Sequence, residues 1–127
     1  MHVIDSSGWL EYLTDGPNAG HFGAPLSDPS RLLVPTISLY EVFRVVLRER
    51  GEDDAIQAAA LMRRGREIAL SPVLALEAAR LAHERGLAMG DAIILATARA
   101  NRATLWTQDA DFEGISGVRY YAKAAAP

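Results

Sequence analysis

The sequence predicts an α/β domain in which a parallel sheet carries helices on both faces. Three short apolar runs, Val3-Ile4, Leu32-Leu33-Val34 and Thr104-Leu105-Trp106, read as buried strands. Stretches with apolar residues at helical spacing separate them, and parallel neighbours need such crossover connections. With 127 residues and no internal repeat, linker or low-complexity block, the chain is expected to form one domain over 1–127.

The elements follow from local chemistry. Val3-Ile4 breaks at Asp5-Ser6-Ser7, after which Trp9, Leu10, Tyr12 and Leu13 fall on a helical face that Gly16-Pro17 ends. A second helix over His21 to Leu26 precedes the turn formers Ser27-Asp28-Pro29-Ser30. Leu32-Leu33-Val34 is closed by Pro35, and Thr36 or Ser38 is positioned to cap a helix running to about Arg50, which Gly51 terminates. Asp53-Asp54 place negative charge at the start of a helix through Arg64. A strand is expected around Ile68-Ala69-Leu70, and a helix from Ser71-Pro72 through Arg85, stopped by Gly86. Met89 to Ala100 is the most apolar helix, directly before the strand at Thr104. Thr107 to Phe112 is a polar loop, Val118 to Tyr121 a last strand, and Ala124 to Pro127 a frayed end.

Half of the residues are hydrophobic and 23% are charged, enough apolar material for a packed interior. The absence of cysteine excludes thiol catalysis, cysteine-ligated zinc and disulfides, and fits a reducing cytoplasm. No signal peptide or membrane span is expected. A net charge of −3 argues against a nucleic-acid partner, unless a divalent cation neutralises some carboxylates where a phosphate must sit.

Four acids stand out. Asp5 follows the first strand and Asp109 lies just beyond the strand at Thr104, so a parallel sheet brings both to the edge where ligands bind. Asp5 reads equally as a helix N-cap. Glu41 is the one charge between Pro35 and Phe43; it reads as a site carboxylate or as the partner of Arg44 or Arg48 on a similar helical face. Asp91 is the only charged residue between Arg85 and Arg99, so it either caps its helix or faces its dipole there, or binds a cation. Asp109 and Asp111 are solvated turn formers or the completion of a cluster, with Phe112 anchoring their loop. Carboxylates held together repel one another, and magnesium or manganese relieves that conflict while retaining waters suited to phosphodiester hydrolysis.

Val3-Ile4-Asp5-Ser6-Ser7, Ser38-Leu39-Tyr40-Glu41, Gly90-Asp91-Ala92-Ile93-Ile94-Leu95-Ala96 and Thr107-Gln108-Asp109-Ala110-Asp111-Phe112 resemble, in this order, the four successive motifs of PIN domains, and the chain looks like a VapC-type toxin. The resemblance implies a three-layer α/β/α domain with a central parallel sheet of about five strands. It implies an endoribonuclease dependent on Mg2+ or Mn2+, the toxin of a type II toxin–antitoxin system, hydrolysing RNA with a metal-activated water and leaving a 5′-phosphate. Asp5, Glu41, Asp91 and Asp109 would be the catalytic, metal-binding acids, and Asp111, Ser6 and Thr107 auxiliary groups. Arg44 and Arg48 are candidates for flanking RNA phosphates, beside their reading as partners of Glu41 or solvated charges. A cognate antitoxin covering the acidic pocket, and a homodimer, are also implied. The first helix and the helix carrying Glu41 are candidates for a groove beside that pocket, although an amphipathic stripe equally reads as core.

Three rivals deserve comparison. A phosphoryl-transfer domain using Asp5 normally needs a well-placed lysine, but Lys123 is the only one, in the tail, and position 7 is serine rather than a second aspartate. A metal-free ribonuclease would need His2, His21 or His83 as acid and base. A non-catalytic PIN-fold RNA-binding or scaffold subunit would have no need of four acids at the matching places. No dedicated recognition module, such as an aromatic stacking sheet, is legible.

Overall fold

The structure, a computed structural model, describes residues 1–124; of the expected frayed end, residues 125–127 lie outside the described residues. The strands are β1 (His2–Ile4), β2 (Leu32–Pro35), β3 (Arg66–Ile68), β4 (Thr104–Thr107) and β5 (Val118–Tyr120). They alternate with α1 (Ser6–Leu13), α2 (Ala19–Leu26), α3 (Thr36–Arg50), α4 (Glu52–Met62), α5 (Pro72–Arg85) and α6 (Met89–Ala100). Single 3-10 turns at Pro29–Arg31 and Ala110–Phe112 precede β2 and β5. Every strand pair is parallel, in the order β3-β2-β1-β4-β5. This is the expected α/β class with five strands.

Strand alternation divides the interior into two cores. Val3, Leu33 and Leu105 point to one face, where Leu74, Ala78 and Leu81 of α5 and Ile93 to Ala96 of α6 cover them. Ile4, Leu32, Val34 and Trp106 point to the other, under Trp9, Phe22, Val42, Val46 and Met62 from α1 to α4. The result is three layers. Residues Ala92 to Ala98 are all buried, which is why α6 was the most apolar stretch of the sequence.

The connection from β1 runs to β2 on one side, whereas β4 pairs on the other, so the strand order reverses between β1 and β4. At such a reversal the loops leaving the strands part and open a crevice. Asp5 leaves β1 there, its amide N–H donating to Trp106 O at 3.0 Å, and Gln108-Asp109 leaves β4 beside it.

Several boundaries differ from expectation. No side chain caps α3: Pro35 stands at its N-cap, Thr36 is its first helical residue, and the Ser38 hydroxyl is buried without a partner. Strand β3 begins two residues earlier than expected. At Gly65 a Cβ would meet Val34 Cγ2 at 2.9 Å, so the glycine lets the chain close onto β2 and pairing starts at Arg66. The signal was weak because Arg66 and Glu67 are exposed charges of an edge strand, a placement that discourages further strand pairing.

Candidate active site

Among the described residues, the acids whose oxygens come together are Asp91, Asp109 and Asp111; Asp5 and Glu41, expected as ligands, are not in that group of three, and Asp111, expected as an auxiliary group, is. Asp5 is 2% exposed and caps α1, accepting from Gly8 N at 2.9 Å. Its oxygens also accept from Ser7 Oγ at 2.8 and 2.9 Å and from Thr107 Oγ1 at 2.6 Å. Both readings of Asp5 therefore converge: it is a cap and it lies in the acid crevice. Burial raises its pKa to about 6, against the lowering effect of these hydrogen bonds, and the nearby Asp109 carboxylate adds to the rise.

Asp91 is in the first turn of α6 but does not cap it; Ala88 holds the N-cap position without a side-chain bond. Its pKa is raised to about 7, first by desolvation and then by the charges of Asp109, Asp5, Glu41 and Asp111. Four carboxylates thus act on this one side chain through their charge. Asp91, Asp109 and Asp111 each offer an oxygen, and the three oxygens lie within 4.8 Å of one another. The loop that presents two of them is built locally: Asp109 N donates to Thr107 Oγ1 at 2.9 Å, Asp111 N donates to Asp109 Oδ1 at 2.9 Å, and Phe112 is fully buried beneath.

Glu41 is not paired with Arg44 or Arg48. It accepts from Ser6 Oγ at 2.7 Å, a contact reaching across from α1. Arg48 instead lies 3.4 Å from Glu49 in an exposed pair, and Arg44 lines a groove between α3 and α4 with Phe43, Leu47 and Ala59. The expected groove beside α1 is present but recruits α4 as well. Leu10, Leu13, Val45, Val46, Ala58 and Leu61 line it, whereas Trp9 is wholly core.

Two residues of the site were missed in the sequence. Ser7 ties Asp5 to the β4 loop, accepting from Gln108 N at 3.3 Å while donating to the carboxylate. Gly90 makes room for Glu41, because a Cβ at residue 90 would overlap the Glu41 carboxylate. Its position just before the lone acid Asp91 was the only available signal. Gly90→Ala is expected to lower RNA cleavage about 10- to 100-fold by displacing Glu41. Helix propensity would leave stability unchanged or raised by up to about 1 kcal/mol. Paired cleavage and thermal-unfolding assays check this, and an equally active variant would remove Glu41 from the site.

The donor set suits a hard cation: it is all carboxylate and hydroxyl oxygen, and the pKa values raised by burial and then by neighbouring negative charge mark a cost that a positive ion relieves. Helices α1 and α6 also begin at these acids, the first capped by Asp5 and the second with Asp91 in its first turn, so the positive ends of their dipoles lie here.

Comparison with known proteins places this geometry. The structure is similar to a toxin–antitoxin complex from Klebsiella pneumoniae, with a TM-score of 0.76 and 27% identity over 94% of this chain and 96% of the other. It is also similar to Mycobacterium tuberculosis VapC20, described as a toxin that cleaves the sarcin–ricin loop, with a TM-score of 0.77 and 20% identity over 91% and 95%. VapBC2 from Rickettsia felis, bound to a promoter DNA fragment, gives a TM-score of 0.69 and 18% identity over 95% and 97%. These last two likenesses bear on the fold alone. No curated protein matches the chain. The family model described as PIN domain matches residues 2–118, and the chain therefore belongs to the PIN domain family.

Proposed function

We propose that this protein is an endoribonuclease dependent on Mg2+ or Mn2+, and the toxin of a type II toxin–antitoxin pair acting in the cytoplasm. The observation that carries the reading is the group of Asp91, Asp109 and Asp111, which each offer an oxygen within 4.8 Å of the others. Asp91, Asp109 and Asp111 would hold the ion, with Asp5 and Glu41 completing the acidic wall. When bound, the ion supplies Lewis acidity at a phosphodiester oxygen and a water of lowered pKa.

The chain's own groups do the positioning. Ser7 and Thr107 fix both Asp5 oxygens, Ser6 fixes Glu41, and the Asp109–Asp111 turn sets the third wall. In this reading Arg44 remains a flanking phosphate contact. The antitoxin partner is supported by the 27%-identical Klebsiella neighbour, itself a toxin–antitoxin complex. The groove over α1, α3 and α4 is a surface that a partner segment would cover, and a homodimer completes the assembly. The test is cleavage of cellular RNA by the purified chain with and without chelator, with 5′-phosphate and 3′-hydroxyl ends as the expected products. Cleavage that survives chelation but fails in His83→Ala would overturn the metal reading, and metal binding without any cleavage would indicate the scaffold role.

A thermodynamic prediction accompanies this. Asp5 and Asp91 have folded pKa values of about 6 and about 7, above the roughly 3.9 of an unfolded aspartate. Between about pH 4 and 7 the folded protein therefore binds more protons than the unfolded chain, and cation-free stability falls as pH rises through that window. Mg2+ or Mn2+ should raise the Tm strongly near pH 8 and little near pH 5. At a concentration of 100 times Kd the gain is about 2.7 kcal/mol. Differential scanning calorimetry at the two pH values checks it; an equal shift at both would show that the cation does not bind these acids.

A further inference from the structure

We propose that the sheet rim beside the acid crevice is a track for single-stranded RNA, in which the exposed His21 ring, stacked on Tyr121, receives a base and the Arg119 guanidinium contacts a phosphate. This rests on the nuclease reading above. None of these residues belongs to the acidic motifs, and nothing in the sequence pattern joined them.

The rim is tied to the acids by direct contacts. Thr107, whose hydroxyl donates to Asp5, accepts from Tyr121 N through its carbonyl at 2.9 Å. The Tyr121 backbone therefore hangs at the end of β4, one residue behind the carboxylate. Its ring stacks on His21 with centroids 4.1 Å apart and planes 12° from parallel. Phe22 and Trp106 brace the stack from below, at 5.8 and 6.2 Å from Tyr121, and both are buried. His21 is exposed, and a base would stack on its ring face turned away from Tyr121.

The charge lies one step along the strand. Arg119 pairs in register with Trp106, and its guanidinium sits 4.6 Å from the Trp106 ring centroid. Because Trp106 is one residue before Thr107, Arg119 lies one strand step, roughly 3.3 Å, short of the sheet row from which the acids leave. Trp106 Nε1 donates to His2 Nδ1 at 3.1 Å, which ties the Trp106 ring to β1 on the side of the sheet away from the acids. The His2 pKa is lowered by burial and then by the charges of the N-terminal ammonium, Arg31 and Arg119, which share this neighbourhood. Among the described residues, neither Arg31 nor Arg119 has a carboxylate within ion-pair distance; the two ion pairs use Arg48 and Arg63.

This combination favours RNA over a peptide. An acidic segment would use the guanidinium but gain nothing from the exposed His21 ring, whereas a nucleotide presents a flat base and a charge together. It also bears on the objection raised by the net charge of −3, because Arg119 supplies positive charge that no carboxylate within ion-pair distance cancels.

The test is fluorescence anisotropy of a fluorescein-labelled, mixed-sequence single-stranded RNA on the full chain carrying Asp91→Asn to suppress cleavage. His21→Ala and Arg119→Ala should each weaken binding about 5- to 100-fold, and His21→Phe should restore it. Arg119→Ala should lower the slope of log affinity against log salt by about 1, whereas Arg119→Lys should keep it. In the cleavage-competent chain the same substitutions should raise KM and spare kcat. Unchanged affinity, salt slope and KM in a chain that still cleaves RNA would overturn the track alone. His21-dependent RNA binding without any wild-type cleavage would overturn the nuclease reading and leave the track standing.

Discussion

Asp91→Asn is expected to reduce RNA cleavage by on the order of 10²- to 10³-fold or more, while the folded protein without cation becomes more stable at neutral pH. Both effects come from one source. The Asp91 carboxyl is pushed up to about 7 by burial and by the negative charges of Asp109, Asp5, Glu41 and Asp111. An amide of the same shape keeps the packing and removes the repulsion. The carboxyl is partly open to solvent, which screens its neighbours, so a gain of roughly 1–2 kcal/mol is expected near pH 7. The gain should vanish near pH 4, where the wild-type carboxyl is protonated in the folded protein. Thermal unfolding of both proteins in chelator across this range, beside a cleavage assay, makes the comparison. A variant that is inactive and also less stable at every pH would mean that Asp91 supports the fold rather than the site.

The second large effect separates the two duties of Asp5. Asp5→Ala removes the acceptor for Gly8 N, Ser7 Oγ and Thr107 Oγ1 together. Losing the cap costs about 1 kcal/mol and stranding buried donors costs about 1–3 kcal/mol more, so a destabilisation of roughly 2–4 kcal/mol is expected. Asp5→Asn keeps an oxygen for Gly8 N, and its amide can donate to the Thr107 hydroxyl, so its stability should stay within about 1 kcal/mol of wild type. Cleavage should be lost in both. Urea unfolding with matched cleavage assays distinguishes them: an active Asp5→Asn protein would remove this carboxylate from the chemistry, and equal stability of the two variants would remove the cap from the account of the fold.

The parts of the fold legible in the sequence were those set by local pattern. Val3-Ile4, Leu32-Leu33-Val34 and Thr104-Leu105-Trp106 showed as strands because both faces of a covered parallel sheet demand apolar residues. Met89–Ala100 was readable to the residue because its middle, Ala92 to Ala98, is buried all round and therefore apolar. Strand β3 was displaced in the reading because its start depends on Gly65 meeting β2, a contact made across some thirty residues of chain. The same distinction governs the site. Asp91 stood out as a lone charge in an apolar run, and Asp5 as the residue ending a strand. Glu41 read either as a site carboxylate or as the partner of Arg44 or Arg48, and its actual partner, the Ser6 hydroxyl, comes from a different helix 35 residues away. The His21–Tyr121 stack was illegible for that reason too, since residues 21 and 121 meet only when α2 is laid over the far edge of the sheet.

The bond between Thr107 and Asp5 spans 102 residues, joining the first strand of the chain to the fourth. During synthesis β1 emerges first and waits for β4, its neighbour in the sheet, while everything between them is made. Pairings of such long range form late because the intervening loop must close before they return any energy. A growing chain therefore carries no assembled acid pocket, however much of its helical content has already folded. The acids can meet only once β4 has been made and has paired with β1.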